Sequence, residues 1–254
     1  MKRGLPLLLA GIAVYAVLLV LTMPAAQVYG RLAGLEPAVV LHGLSGTMRA
    51  GTAASVQYQA LRLGPLEWRL RPAGLLRGRL EFRLTLGDEL ARGEAIAGAG
   101  RGGRWWLYDV ALQARVAPLV AALATWPVEA EGRGLVVLDE TRLRGGALEG
   151  VRGMVRWEQA RLHSPLEVDL GTVELHLEPA AEGGAAGRLT GSGGALDMDG
   201  ELTLGAEGAW RMHLGLRPAG TPEPALVEAL ELLGRPDRQG RYRLETSGRL
   251  PISR

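Results

Sequence analysis

Cysteine is absent from this 254-residue chain. Its absence excludes disulfide frameworks, thiolate nucleophiles and cysteine-ligated metals. Lysine is nearly absent as well: Lys2 stands alone, and the other basic residues are arginines with acids interspersed. A net charge of +2 spread in this way makes no concentrated basic patch, so nucleic acid is not a predicted partner. Histidine is sparse too. His42, His163, His176 and His213 are scattered, with no His-x-x-x-His or His-Glu-x-x-His spacing. No nucleophile elbow marks a serine for acyl transfer, and no Ser, His and acid are flagged as a set. The reading is therefore non-enzymatic, with no catalytic residue, no metal and no cofactor assigned.

Long apolar runs are equally scarce, and there is one. Leu5 to Met23 carries no ionisable group except the phenol of Tyr15. As a helix it spans roughly 28 Å, close to the ~30 Å of a hydrocarbon core. Lys2 and Arg3 precede it and stay on the cytoplasmic side by the positive-inside tendency. The sequence thus predicts a cytoplasmic N-terminus at 1–4, a transmembrane signal anchor at 5–23 and a juxtamembrane linker at 24–34. A cleaved signal peptide is the other reading of the same residues, although Pro24-Ala25-Ala26 is a poor cleavage site. Under either, the remaining chain is extracytoplasmic.

Beyond the anchor the dominant period is two. In Leu66-Glu67-Trp68-Arg69-Leu70-Arg71 every second side chain is apolar, and Leu80 to Leu86, Val173 to Glu178 and Leu196 to Leu204 repeat the pattern. Trp210, Met212, Leu214 and Leu216 alternate with Arg211, His213, Gly215 and Arg217. Successive strand side chains point to opposite faces, so each run gives one apolar and one charged aspect. Joined by glycine-containing turns, such runs predict a mainly β, curved antiparallel sheet that is dry on one side. Two segments break the rhythm and read as short amphipathic helices, Ala117–Trp126 and Pro224–Leu233. The second is entered through Pro224 and ended by Gly234 and Pro236.

A repeat underlies the pattern. LGPLEWRLRP (63–72) returns as LGTVELHLEP (170–179), 107 residues later. At that offset Gly43 meets Gly150, Gly46 meets Gly153, and Gly93-Glu94 meets Gly200-Glu201. Leu119, Val120, Ala122 and Leu123 fall on Leu226, Val227, Ala229 and Leu230. The chain divides into two related meander units, 35–142 and 143–250, each with one short helix, and a tail at 251–254. Neighbouring units of this kind bury one continuous face.

Three motifs invite chemical readings. Gly98 to Gly103 satisfies G-x-G-x-x-G, but a dinucleotide site needs a helix to open at the third glycine. Arg104-Trp105-Trp106-Leu107 follows and reads as strand, which makes the segment a hairpin loop. Asp197, Asp199 and Glu201 alternate with Met198, Gly200 and Leu202, so they read as a solvated strand face rather than a calcium loop. Trp105 and Trp106 are adjacent, so one of them falls on the nominally wet side; both are interaction candidates, against a local irregularity that buries the pair.

Several segments carry a resemblance. They are the anchor ending in Met23-Pro-Ala-Ala26, LSGT at 44–47 with Ala50-Gly51, LGPLEWRLRPAGLLRGRL at 63–80, VRGMVRWEQARL at 151–162, and GRPDRQGRYRLETSGRL at 234–250. Together they resemble the type II secretion system protein N family. The resemblance implies a single-pass inner-membrane protein with a periplasmic domain, accessory to the machine that exports folded proteins. Its implied partners are other inner-membrane platform components of that machine, and the family brings no catalytic residue to transfer. The leading expectation is a scaffold that makes protein–protein contacts. A second, from another class, is a lipid- or hydrophobe-binding groove, left where the short helices only partly close the apolar face.

Overall fold

A computed structural model describes residues 22–32, 39–123, 128–164, 166–221 and 223–250. Residues 1–21, which hold Lys2, Arg3 and nearly all of the expected anchor, lie outside the described residues, as do the 251–254 tail, residues 33–38 and Trp126. No helix among the described residues is long and apolar enough to cross a membrane.

The described strands make one antiparallel sheet. In chain order they are β1 (Val39–Gly46), β2 (Ala50–Tyr58), β3 (Leu61–Leu63), β4 (Leu66–Arg71), β5 (Leu80–Gly87), β6 (Ala91–Gly100) and β7 (Arg104–Arg115). Then come β8 (Glu129–Arg144), β9 (Ala147–Ser164), β10 (Val168–Pro179), β11 (Ala185–Ser192), β12 (Leu196–Leu204), β13 (Ala209–Pro218) and β14 (Tyr242–Arg249). Each strand pairs with the next, except that β3 pairs with β2 beside the main path and β4 takes its place there. The sheet is open, with β1 and β14 at its edges.

The alternation sets the register. Across β11 to β14, Gly187, Leu202, Met212 and Thr246 stand in one row, and Leu189, Gly200, Leu214 and Leu244 in the next. The opposite aspect carries Arg188 beside Glu201 and Asp197 beside Arg217. Leu216 and Leu204 are buried where Arg211 and Arg217 are exposed. A one-residue slip would exchange the two sets, so the pairing is tightly specified.

Among the described residues four short helices accompany the sheet: α1 (Ala25–Leu32), α2 (Pro72–Leu75), α3 (Val116–Leu123) and α4 (Pro224–Glu231). Two were expected. α3 and α4 occupy the anticipated segments, but α4 ends two residues early and Leu232-Leu233 form a turn. α1 and α2 correct the expectation of two helices. Ala25 and Ala26 are strong helix formers directly after Pro24, in a stretch read as linker. Pro72 at the start of α2 donates no hydrogen bond and has a backbone angle already suited to a first turn.

The segments 107 residues apart keep the same ordinal places. β4 to β8, with α3 between β7 and β8, match β10 to β14, with α4 between β13 and β14. Gly93 and Gly200 show why glycine recurs. A Cβ at Gly93 would sit 2.2 Å from the Ala111 carbonyl oxygen, and one at Gly200 would sit 2.6 Å from that of His213. Both are sites where the following strand approaches too closely for a side chain. The 142/143 boundary falls inside β8, which pairs with both β7 and β9, so the two stretches share one hydrogen-bonded sheet.

Candidate interaction surfaces

The charged aspect is knitted by cross-strand pairs. Arg217 reaches Asp197 at 2.8 Å, Arg156 reaches Glu174 at 2.8 Å, and Arg144 reaches Glu149 at 2.7 Å. Arg156 and Glu174 are half-buried, whereas an exposed pair such as Arg217 with Asp197 contributes about 0–1 kcal/mol. The histidines share in it: His176 lies 3.4 Å from Glu174, His213 lies 3.2 Å from Glu245, and His163 lies 3.3 Å from Glu131. His42 instead meets Gln57 at 3.2 Å. Asp199 faces Arg241 at 3.7 Å rather than closing on Asp197 or Glu201. Among the described residues no cluster of three or more His, Asp or Glu is arranged to hold a metal ion. At the G-x-G-x-x-G segment, Arg101 to Gly103 turn β6 into β7 and no helix opens there. That geometry offers no helix N-terminus to a phosphate.

One part of this aspect is covered, and sequence reasoning missed it. Arg71, Glu81, Gly98, Trp106 and Arg142 stand in one row across β4 to β8. α2 lies over the row, so close that a Cβ on Gly74 would come 2.7 Å from Glu81 Cγ. Glu81 is left 1% exposed, with Arg71 at 3.8 Å. Arg71 also donates to the Tyr108 hydroxyl at 3.0 Å. Burial pushes the Tyr108 phenol above its usual range, helped by a hydrogen bond to Glu81 and by that carboxylate's charge. The Trp106 ring lies beneath the Arg79 guanidinium at 4.3 Å, and a Cβ on Gly100 would strike it at 2.7 Å. Glycine at 100 is what lets the indole lie flat. In the sequence, Glu81 looks like any other wet-face residue of its strand. The only signal of cover was the unalternated Pro72-Ala-Gly-Leu-Leu76 just before it.

Trp105 falls on the other aspect, in a row with Leu80, Ala99 and Leu143. It is nevertheless 58% exposed. The tryptophan on the charged side is therefore the shielded one, and the tryptophan on the apolar side is open. Cover decides this, not the strand period.

The apolar aspect is closed unevenly. Over β9 to β14, Leu226 and Leu230 of α4 pack with Ala160, Val168, Leu170, Leu196, Leu216 and Tyr242 into a buried cluster. Beside it Leu148, Val151, Ala185 and Leu204 form a second. Over β1 to β6 the cover is α1, pinned at its start. Pro24 bridges to Thr47, and the Met48 amide donates to the Met23 carbonyl at 3.1 Å. Beneath α1 remains a trough of about 250 Å³ lined by Ala25, Tyr29, Leu41, Trp68, Phe82 and Leu84 among others.

These features define a class: a single-sheet β protein whose candidate working surfaces are aspects and edges rather than a cleft armed with reactive groups. The comparisons narrow the class. A family profile described as "Type II secretion system (T2SS), protein N" matches residues 37–245. The chain is 28% identical over 228 residues to the type II secretion system protein N of Vibrio cholerae serotype O1, covering 85% of this chain and 86% of that one. It is 26% identical over 255 residues to the protein of the same name from Aeromonas hydrophila, covering 98% and 100%. No solved structure matches. The chain belongs to the type II secretion system protein N family.

Proposed function

We propose that this protein is a non-enzymatic accessory subunit of the type II secretion machinery. Residues 5–23 anchor it in the inner membrane with Lys2 and Arg3 in the cytoplasm, and the sheet stands in the periplasm to contact inner-membrane platform components. Family membership supports the place in secretion. The observation that carries the contact role is Trp105, more than half exposed in a row otherwise built of leucine and alanine, Leu80, Ala99 and Leu143. A large aromatic ring left uncovered in this way makes an effective anchor for a protein partner. The units 35–142 and 143–250 belong to this reading as a doubled scaffold, supported by the matched order of β4 to β8 with α3 and of β10 to β14 with α4. Isolation of the tagged full-length chain from membranes of secreting cells tests it. Platform components should accompany the chain and be depleted when Trp105→Ala is introduced; recovery of the chain alone overturns the proposal.

A second reading, hydrophobe binding in the periplasm, has one observation in its favour. The apolar aspect over β1 to β6 is not closed.

A further inference from the structure

The trough beneath α1 is chemically silent. Its lining is alanine, leucine, methionine and aromatic side chains, with side-chain N or O atoms only at Tyr29 and Trp68. The Trp68 indole N–H donates to the Thr47 carbonyl at 3.0 Å, and the Tyr29 hydroxyl accepts the Leu41 amide at 3.0 Å, which leaves these two side chains one O–H to offer a ligand. A ligand with several hydrogen-bonding groups would bury most of them unpaired there, at a cost of roughly 1–3 kcal/mol for each group. Hydrocarbon carries no such cost. The size agrees: about 250 Å³ falls just below the ~300 Å³ at which pockets for whole drug-sized molecules begin. It suits a length of one chain.

The position supplies the source. α1 starts at Ala25, and its entry is fixed to the sheet through Met23, Pro24, Thr47 and Met48. Residue 23 is where the expected membrane span ends. At 1.5 Å per residue, Tyr29 lies only roughly 9 Å further along the chain. The Tyr29 wall of the trough therefore stands close along the chain to the point where that span would leave the bilayer. We propose that it holds an acyl chain of an inner-membrane phospholipid, drawn from the leaflet beside the anchor. The proposal rests on the hydrophobe-binding reading and on the anchor at 5–23.

Leu84 and Arg83 make the test, because they are neighbours on β5 with opposite aspects. Leu84 lines the trough, whereas Arg83 is exposed in the row of Arg69 and Ile96. A photo-cross-linking residue is placed at either position of the full-length chain in cells grown with radiolabelled phosphate, and membranes are fractionated after illumination. A phospholipid adduct severalfold stronger at Leu84 than at Arg83 is expected. Equal labelling at both positions, a protein adduct at Leu84, or recovery of the chain outside the membrane fraction overturns the proposal. An adduct to a hydrophobe without phosphorus overturns it too but leaves the broader reading standing; a membrane-bound chain with no adduct at Leu84 removes both. A second measurement avoids any effect of the bulky residue on folding. The unmodified chain in phosphatidylethanolamine–phosphatidylglycerol vesicles with brominated acyl chains should lose a component of its fluorescence that Trp68→Phe also removes. That component should escape quenching in Ala97→Phe, which fills the trough. Quenching that persists in Ala97→Phe would show proximity without occupancy and overturn the proposal.

Discussion

The two ends of the sheet share one alternation and differ in what lies on top of it. From β9 to β14, buried leucines from three strands and from α4 meet in a closed cluster. From β1 to β6, leucines in the same alternating places line a trough, while Trp105 stands open on the same aspect. The lesson is that strand pattern decides which side chains share an aspect, and only the covering elements decide whether that aspect is core or surface.

Substitutions sharpen the contrast. Leu226→Ala or Leu230→Ala removes a side chain no more than 5% exposed and should cost about 2–5 kcal/mol in urea unfolding of the full-length chain. Leu84→Ala, in the open stretch, should cost only about 1 kcal/mol, because part of its surface is already uncovered. Equal losses would break the comparison. Next in size is the charged row beneath α2. Arg71→Met leaves the Glu81 carboxylate buried without its cation and should cost about 3 kcal/mol. Arg217→Met, which breaks an exposed pair at the other end, should cost no more than about 1 kcal/mol by the same measurement.

A pH effect follows from the same row. The folded chain holds the Tyr108 proton more tightly than the unfolded chain does. This contribution is therefore intact below tyrosine's ordinary value of about 10 and is lost as pH rises past it. Tyrosinate absorbance, taken as the difference from Tyr108→Phe, should show late ionisation, and Glu81→Gln should bring it earlier. At the opposite end, the backbone amides of Arg241 and Gln239 hold the partly exposed Asp237 carboxylate below its usual range. Carbon-13 chemical shifts should show it titrating at lower pH than an aspartate in an unfolded peptide, and that stabilisation fading only in acid. The smallest effect is expected from Trp105→Ala, within about 0.5 kcal/mol in unfolding, because the ring is mostly in solvent already.

Much of this architecture is legible without coordinates. The alternation at Leu196–Leu204 and at Trp210–Leu216 becomes β12 and β13, and Pro224 does open α4. What is not legible depends on distant residues. LGPLEWRLRP and LGTVELHLEP look alike, yet the first is divided between β3 and β4 at Gly64-Pro65, where proline supplies no amide, while β10 runs through with a bulge at Gly171. Glu81 is buried because α2 folds over it, and nothing within LEFRLTL announces that. Tyr29 of α1 and Trp68 of β4 line one trough from positions far apart in the chain, so neither marks a site alone.

The central claim is that this aspect is shut over β9–β14 and open over β1–β6. Because the chain has no native cysteine, single cysteines at Leu84 and Leu216 report on it cleanly. Alkylation by a small maleimide is followed in the detergent-solubilised full-length protein. The Leu84→Cys thiol should react readily in the folded state and the Leu216→Cys thiol only after unfolding; equal protection of both, or faster reaction at 216, would contradict the account.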